Sequence, residues 1–219
     1  MHAEELAKTI DHTLLKADTT SPDVDRLCRE AIAFHFAAVC VFPHFVPLAD
    51  SILRGADVKV CSVIAFPYGA ESLRTKVVAA EDAVAGGADE IDVVINLPAF
   101  LSGDFGRVRD ELASVVRAVR MTAISTGRGQ VVVKAIIETC YLSLKMKKMA
   151  CKICEQAGVD FVKTSTGCGP AGATVRDVEL LRGLWSQGQR LNADELLRQL
   201  DGSRLELPAL ATELAETLG

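Results

Sequence analysis

The 219-residue sequence predicts an α/β fold of parallel strand–helix units that curl into a β/α barrel. Short β-branched runs alternate with longer amphipathic segments six times, the order expected of a parallel sheet and not of a meander. No Pro-, Ser- or Gly-rich stretch divides them, so a single domain is expected. Charged residues also stand inside strand-like runs, at positions that barrel closure would turn toward a shared interior.

The strand runs lie near 9–15 (TIDHTLL), 37–42 (AAVCVF), 58–66 (VKVCSVIAF), 89–96 (DEIDVVIN), 130–137 (QVVVKAII) and 159–165 (VDFVKTS). Ser21-Pro22-Asp23 places a capping serine before a first-turn proline and opens a helix through about Phe34. Ser143 caps a second helix through about Gln156, ended by Gly158. Thr174-Val-Arg-Asp177 reads as a variant capping box opening a helix toward Leu184.

Composition excludes several function classes. With 49% hydrophobic and 24% charged residues the chain is not a disordered segment. A net charge of −5 leaves no basic surplus for nucleic acid or an anionic membrane surface. No apolar run approaches the roughly 20 residues that span a bilayer. The start, MHAEELAKTIDHTLL, lacks a signal-peptide layout, and a cytoplasmic location is expected. The seven cysteines (28, 40, 61, 140, 151, 154 and 168) read as thiols, several of them buried in apolar runs. Cys151 and Cys154 form a C-x-x-C without a second pair or a nearby histidine, so they read as structural, and no metal is expected. His12 reads as a hydrogen-bonding residue, and Cys168 as an exposed thiol.

Two units echo one another. Gly87-Ala-Asp-Glu-Ile-Asp92 and Gly158-Val-Asp-Phe-Val-Lys163 each run from a helix-ending glycine, through an aspartate two residues later, into a strand. Barrel layers draw on alternate strands, so Asp92 on the fourth and Lys163 on the sixth would face one another, with Lys134 on the fifth nearby. Isolated charges inside strands are costly, so three together suggest either a buried ion pair or a reactive lysine. Desolvation and a second ammonium would both lower the pKa of such a lysine, and Asp92 would move its protons. The glycine-rich Thr164-Ser-Thr-Gly-Cys-Gly-Pro-Ala-Gly172 leaves the sixth strand at the end where barrel active sites lie.

Ile10-Asp-His-Thr-Leu-Leu-Lys16, Ala38-Val-Cys-Val-Phe-Pro43, Glu90-Ile-Asp-Val-Val94, Lys134-Ala-Ile-Ile-Glu-Thr139 and Phe161-Val-Lys-Thr-Ser-Thr-Gly167 together resemble the deoxyribose-phosphate aldolase family over about residues 8–184. The resemblance implies a TIM-type (β/α) barrel and a class I aldolase that uses no metal or other cofactor. Such an enzyme reversibly cleaves 2-deoxyribose 5-phosphate to acetaldehyde and glyceraldehyde 3-phosphate. It further implies that Lys163 forms the Schiff base, that Asp92 transfers protons and that Lys134 assists at the carbinolamine. Asp11, Thr164 and Cys40 would line the substrate pocket, and Gly167 would offer its backbone to the phosphate.

The pattern departs after Trp185. Neither the family's seventh strand, V-K-A-x-G-G-I-R, nor its second phosphate loop, G-T/A-S-S-G, is recognisable in the remaining sequence. The expected barrel is therefore incomplete or rearranged at strands 7 and 8. Units 1 to 6 would occupy residues 1–185, and a divergent helical tail of the same domain residues 186–219. Within that tail, helices are expected at about 192–201 and 208–218, with 202–207 a degenerate strand as the alternative. An open sheet edge would be covered by the tail or sealed by a second copy in a homodimer. The chain is thus expected to act on a small sugar phosphate or aldehyde, with impaired activity. The alternatives are a non-catalytic relative that binds a ligand or partner, and a Schiff-base aldolase for a different small aldehyde.

Overall fold

In the computed structural model, which describes residues 3–184, six strands form where the β-branched runs lie. They are β1 (Asp11–Thr13), β2 (Ala38–Val41), β3 (Lys59–Ile64), β4 (Glu90–Val94), β5 (Val132–Ile136) and β6 (Phe161–Lys163). Each is shorter than its apolar run, because the ends of the runs pass into turns. All neighbours are parallel, in the order β1-β2-β3-β4-β5-β6.

The helices between them are α2 (Ser21–Ala33), α3 (Val46–Leu53), α4 (Leu73–Gly86), α5 (Leu97–Leu101), α6 (Phe105–Thr126) and α7 (Leu144–Ala157). A short α1 (Ala3–Ala7) precedes β1, and α8 (Val175–Leu184) follows β6. Ser143 caps α7 and accepts from the Met146 amide at 3.4 Å. Gly158 ends that helix at φ 77°, a left-handed conformation that costs glycine little. Thr174 accepts from the Asp177 amide at the start of α8. One cap differs from expectation. Thr20, not Ser21, takes the cap position of α2, because Asp23 reaches back to the Thr20 amide at 3.0 Å.

Side chains alternate between two layers. Val39, Val41, Val60, Ile64, Ile91, Val93, Val133 and Ala135 join the core between the sheet and its helices. Burying each of these Val and Ile side chains contributes about 1.5–3 kcal/mol, so the outer layer carries most of the stability. Ala38, Cys40, Cys61 and Val63 form a smaller cluster on the other face. That face is concave. The Lys163 ammonium at one end of the strand order lies 3.2 Å from the Asp11 carboxylate at the other. A flat six-stranded sheet would separate those two strands by about 24 Å at ~4.8 Å per strand. The strands therefore curl into an incomplete barrel.

The echoed units share a structural device at the opposite end. The Asp89 amide donates to the Val60 carbonyl, while its carboxylate accepts from the Val60 amide at 3.0 Å. Asp160 makes the same two bonds to Val133, the carboxylate one at 2.8 Å. Each aspartate thereby fixes the register of its own strand against the preceding one. The tail helices expected at 192–201 and 208–218, and the degenerate strand at 202–207, lie outside the described residues.

Candidate active site

Four of the predicted residues meet inside the curl. Asp92 and Lys134 are direct partners in the β4–β5 register, and Lys163 is the last residue of β6. The Lys163 ammonium pairs with Asp92 and with Asp11. The Lys134 ammonium donates to Asp11 at 2.8 Å, pairs with Glu90, and lies 3.5 Å from Asp92. Asp92 is 1% exposed and the Lys134 side chain 10%, whereas the Lys163 side chain keeps 31% of its surface open. Lys163 is therefore the most exposed member of the cluster, followed by Asp11 at 25%.

The electrostatics follow from this crowding. Burial pushes the Asp11 carboxyl up, but the two ammonium groups more than offset it and hold the group below its ordinary value. Glu90 ends above its ordinary value, because burial outweighs the nearby Lys134 charge and Asp11 and Asp92 add repulsion. For Lys163 the sequence suggested a lowered pKa, and the structure reverses the direction. Burial and Lys134 do favour the neutral amine, but the Asp92 and Asp11 carboxylates overcome them, so the group is held above its ordinary value. Lys134 is likewise raised: burial opposes its charge, and the Asp92, Asp11 and Glu90 carboxylates outweigh burial.

Cys40 lies on the floor of the cluster. Its thiol, the Cys61 thiol and an Asp92 oxygen fall within 4.8 Å of one another, a spacing that would suit a metal ion. The Lys134 ammonium already occupies that neighbourhood, 3.9 Å from the Cys61 sulfur. Hydrogen bonding to Cys40 and burial also push the Cys61 thiol well up, away from the thiolate that a metal needs. Cys151 and Cys154 are buried in α7, and burial pushes the Cys151 thiol up to about 11. His12 faces away from the cluster, bonding Glu30 at 2.8 Å and packing on Phe36.

Thr164 and Gly167 belong to the loop that leaves β6 and are not among the ion-paired groups. The Thr164 carbonyl accepts from the Thr139 amide at 2.7 Å, and Gly167 takes φ 81°. Two interior acids escaped the sequence reading. Glu90 stands two residues before Asp92 on one strand, so the period of two places both on the same face. Glu138 is 2% exposed, and its carboxylate accepts from the amide and hydroxyl of Thr166 and from the Cys140 thiol. No local pattern announces that contact, since it joins residues 28 apart through the sheet.

This arrangement has relatives. A family model described as DeoC/LacD family aldolase matches residues 6–201. A deoxyribose-phosphate aldolase of a Thermoanaerobacter species is 44% identical over 214 residues, covering 98% of this chain and 93% of the relative. The chain belongs to the DeoC/LacD aldolase family. A second relative, the deoxyribose-phosphate aldolase of Aciduliprofundum boonei, is 45% identical over 226 residues, covering 100% of this chain and 99% of its own length. The tetrameric deoxyribose phosphate aldolase of Aeropyrum pernix has a structure similar to this one, with a TM-score of 0.76 and 32% identity. That match covers 86% of this chain and 76% of the other. Within the DeoC/LacD family the fold is a TIM-type barrel, and the six parallel strands here form an incomplete one. The DeoC/LacD match spans every described strand and passes Trp185, where the motif pattern departs. Among the described residues, no helix is long and apolar enough to cross a membrane.

Proposed function

We propose that this chain is a class I aldolase that reversibly cleaves 2-deoxy-D-ribose 5-phosphate to acetaldehyde and D-glyceraldehyde 3-phosphate. The observation that carries the reading is the solvent-reachable Lys163 paired with the buried Asp92. Membership of the aldolase family supports the reaction class, and the names of the two close relatives support the substrate.

In the resting site Lys163 is an ammonium held by Asp92 and Asp11. Asp92 takes a proton from it, and the neutral amine adds to the substrate aldehyde carbon to give a carbinolamine. Loss of water, with a proton supplied by Asp92, leaves a protonated imine. Asp92, again a carboxylate, takes the proton from the C3 hydroxyl, and the C2–C3 bond breaks. The electron pair moves into the imine, forming an enamine and releasing glyceraldehyde 3-phosphate. Protonation of the enamine carbon and addition of water free acetaldehyde and restore Lys163. Lys134, tied to three carboxylates, remains cationic and stabilises the carbinolamine oxygen.

Asp11 orients both ammonium groups, and Cys40 shapes the pocket floor. Thr164 lines the mouth, and the Gly167 loop receives the phosphate. The seven free thiols fit a reducing compartment such as the cytoplasm. The tetrameric Aeropyrum relative supports self-association, of which a homodimer is the smallest form.

The test is borohydride trapping with acetaldehyde, read by intact mass, alongside cleavage of deoxyribose 5-phosphate. The wild type should gain one ethyl group, and Lys163→Ala none, with cleavage reduced by about 10³-fold or more. Unmodified wild-type protein would remove the Schiff base from the mechanism. Trapping without cleavage would redirect the substrate to another small aldehyde.

A further inference from the structure

Glu138 combines three features that packing alone does not demand. It is a buried carboxylate, it holds a left-handed backbone at φ 43°, and it bonds a segment of a different unit. Non-glycine residues pay for left-handed geometry, and such strain persists only where the surroundings over-determine it. Here the surroundings are the glycine-rich loop after β6. One carboxylate oxygen accepts from both the amide and the hydroxyl of Thr166, and that hydroxyl in turn accepts from the Cys168 amide at 3.0 Å. The other oxygen accepts from Cys140.

The loop then folds back over these groups. A Cβ built on Gly169 would lie 2.8 Å from the Cys140 sulfur and 3.3 Å from the Glu138 carboxyl carbon, so only glycine permits the approach. Just before the turn, the Ile137 and Thr139 amides donate to the Lys163 and Thr164 carbonyls. The backbone thus ties the end of β5 to Lys163, while the Glu138 side chain ties it to the loop beyond.

We propose that Glu138 is a positioning residue for phosphate recognition: by holding Thr166, whose hydroxyl in turn holds the Cys168 amide, it fixes the loop so that the Gly167 and Gly169 amides meet the substrate phosphate. This rests on the aldolase reading and deepens it. The half-buried Thr166 amide and hydroxyl both need an acceptor, and one carboxylate oxygen, with two lone pairs, accepts from both. Glu138 does not touch the Lys163 cluster in any described contact, so its effect should reach binding of the phosphate and not imine formation.

The experiment compares cleavage of 2-deoxyribose 5-phosphate with that of unphosphorylated 2-deoxyribose in the full chain. Glu138→Gly removes the carboxylate while suiting the left-handed backbone, and Thr166→Val removes the hydroxyl from the other side. Glu138→Gln keeps one carbonyl acceptor. For the glycine and valine variants, KM for the phosphorylated sugar should rise on the order of tenfold or more, while cleavage of the unphosphorylated sugar and trapping by acetaldehyde stay unchanged. The glutamine variant should restore most of the preference. A preference that survives both variants, or a loss equal for both sugars, would overturn the assignment. Should Glu138→Gly not fold, Thr166→Val alone decides. A wild type that neither traps acetaldehyde nor cleaves either sugar would refute the aldolase reading instead, and so is told apart from failure of the loop assignment.

Discussion

At Lys163 two carboxylates outpull burial and a second ammonium, and the result sets the pH at which imine formation begins. Asp92 is the largest of the influences that raise the group, second only to burial in size. Asp92→Asn therefore has a double expected outcome. The pH profile of acetaldehyde trapping should shift to lower pH, because more neutral amine is present, while turnover falls by about 10²-fold for want of the proton carrier. A trapping profile that stays in place, or moves to higher pH, would contradict this account of the site. The sequence exposed Asp92, Lys134 and Lys163 as charges set in β-branched runs, and Asp11 through the resemblance of its motif to the aldolase family. It did not expose the direction of the Lys163 shift, which depends on how near each counter-charge sits. Lys76 and Glu111 illustrate the same limit. They lie on α4 and α6, which no sequence signal pairs, yet they form a buried pair at 2.6 Å, 35 residues apart.

Among the elements, strand and helix order was readable from periodicity, and the capping serine at 143 and the glycine at 158 marked α7 closely. The α2 cap was misread by one residue, because the deciding contact was a side chain reaching backwards from Asp23. The repeated G-x-D at residues 87–89 and 158–160 was visible as a pattern, but its purpose required the preceding strand. Asp160→Ala should cost about 1–3 kcal/mol by leaving the buried Val133 amide without its acceptor. Urea unfolding measures it, and a change within error of zero would mean that water replaces the carboxylate. Because Asp160 leads directly into β6, the same variant should also lower aldol cleavage, whereas an exposed surface control such as Ser125→Ala should not.

For the whole molecule, the distribution of shifted acids predicts how stability responds to acid. Asp11, Asp177 and Glu111 are held below ordinary values of 3.8, 3.8 and 4.5 by burial overcome by neighbouring cations. Their contribution is complete above those values and is lost as pH falls through the lower folded-state ones. Glu90, raised instead, favours the protonated form and partly offsets the loss. The urea midpoint should therefore decline as pH drops below about 4.5. A flat midpoint down to pH ~3 would show that these pairs do not couple to folding. The ion pair between Asp11 and Lys163 carries one more consequence, which concerns time. Its partners are 152 residues apart and belong to the first and last described strands, so it forms only after every intervening unit has docked. During refolding, recovery of acetaldehyde trapping should lag recovery of helical circular dichroism, making the reactive lysine a clock for the final closure of the chain upon itself.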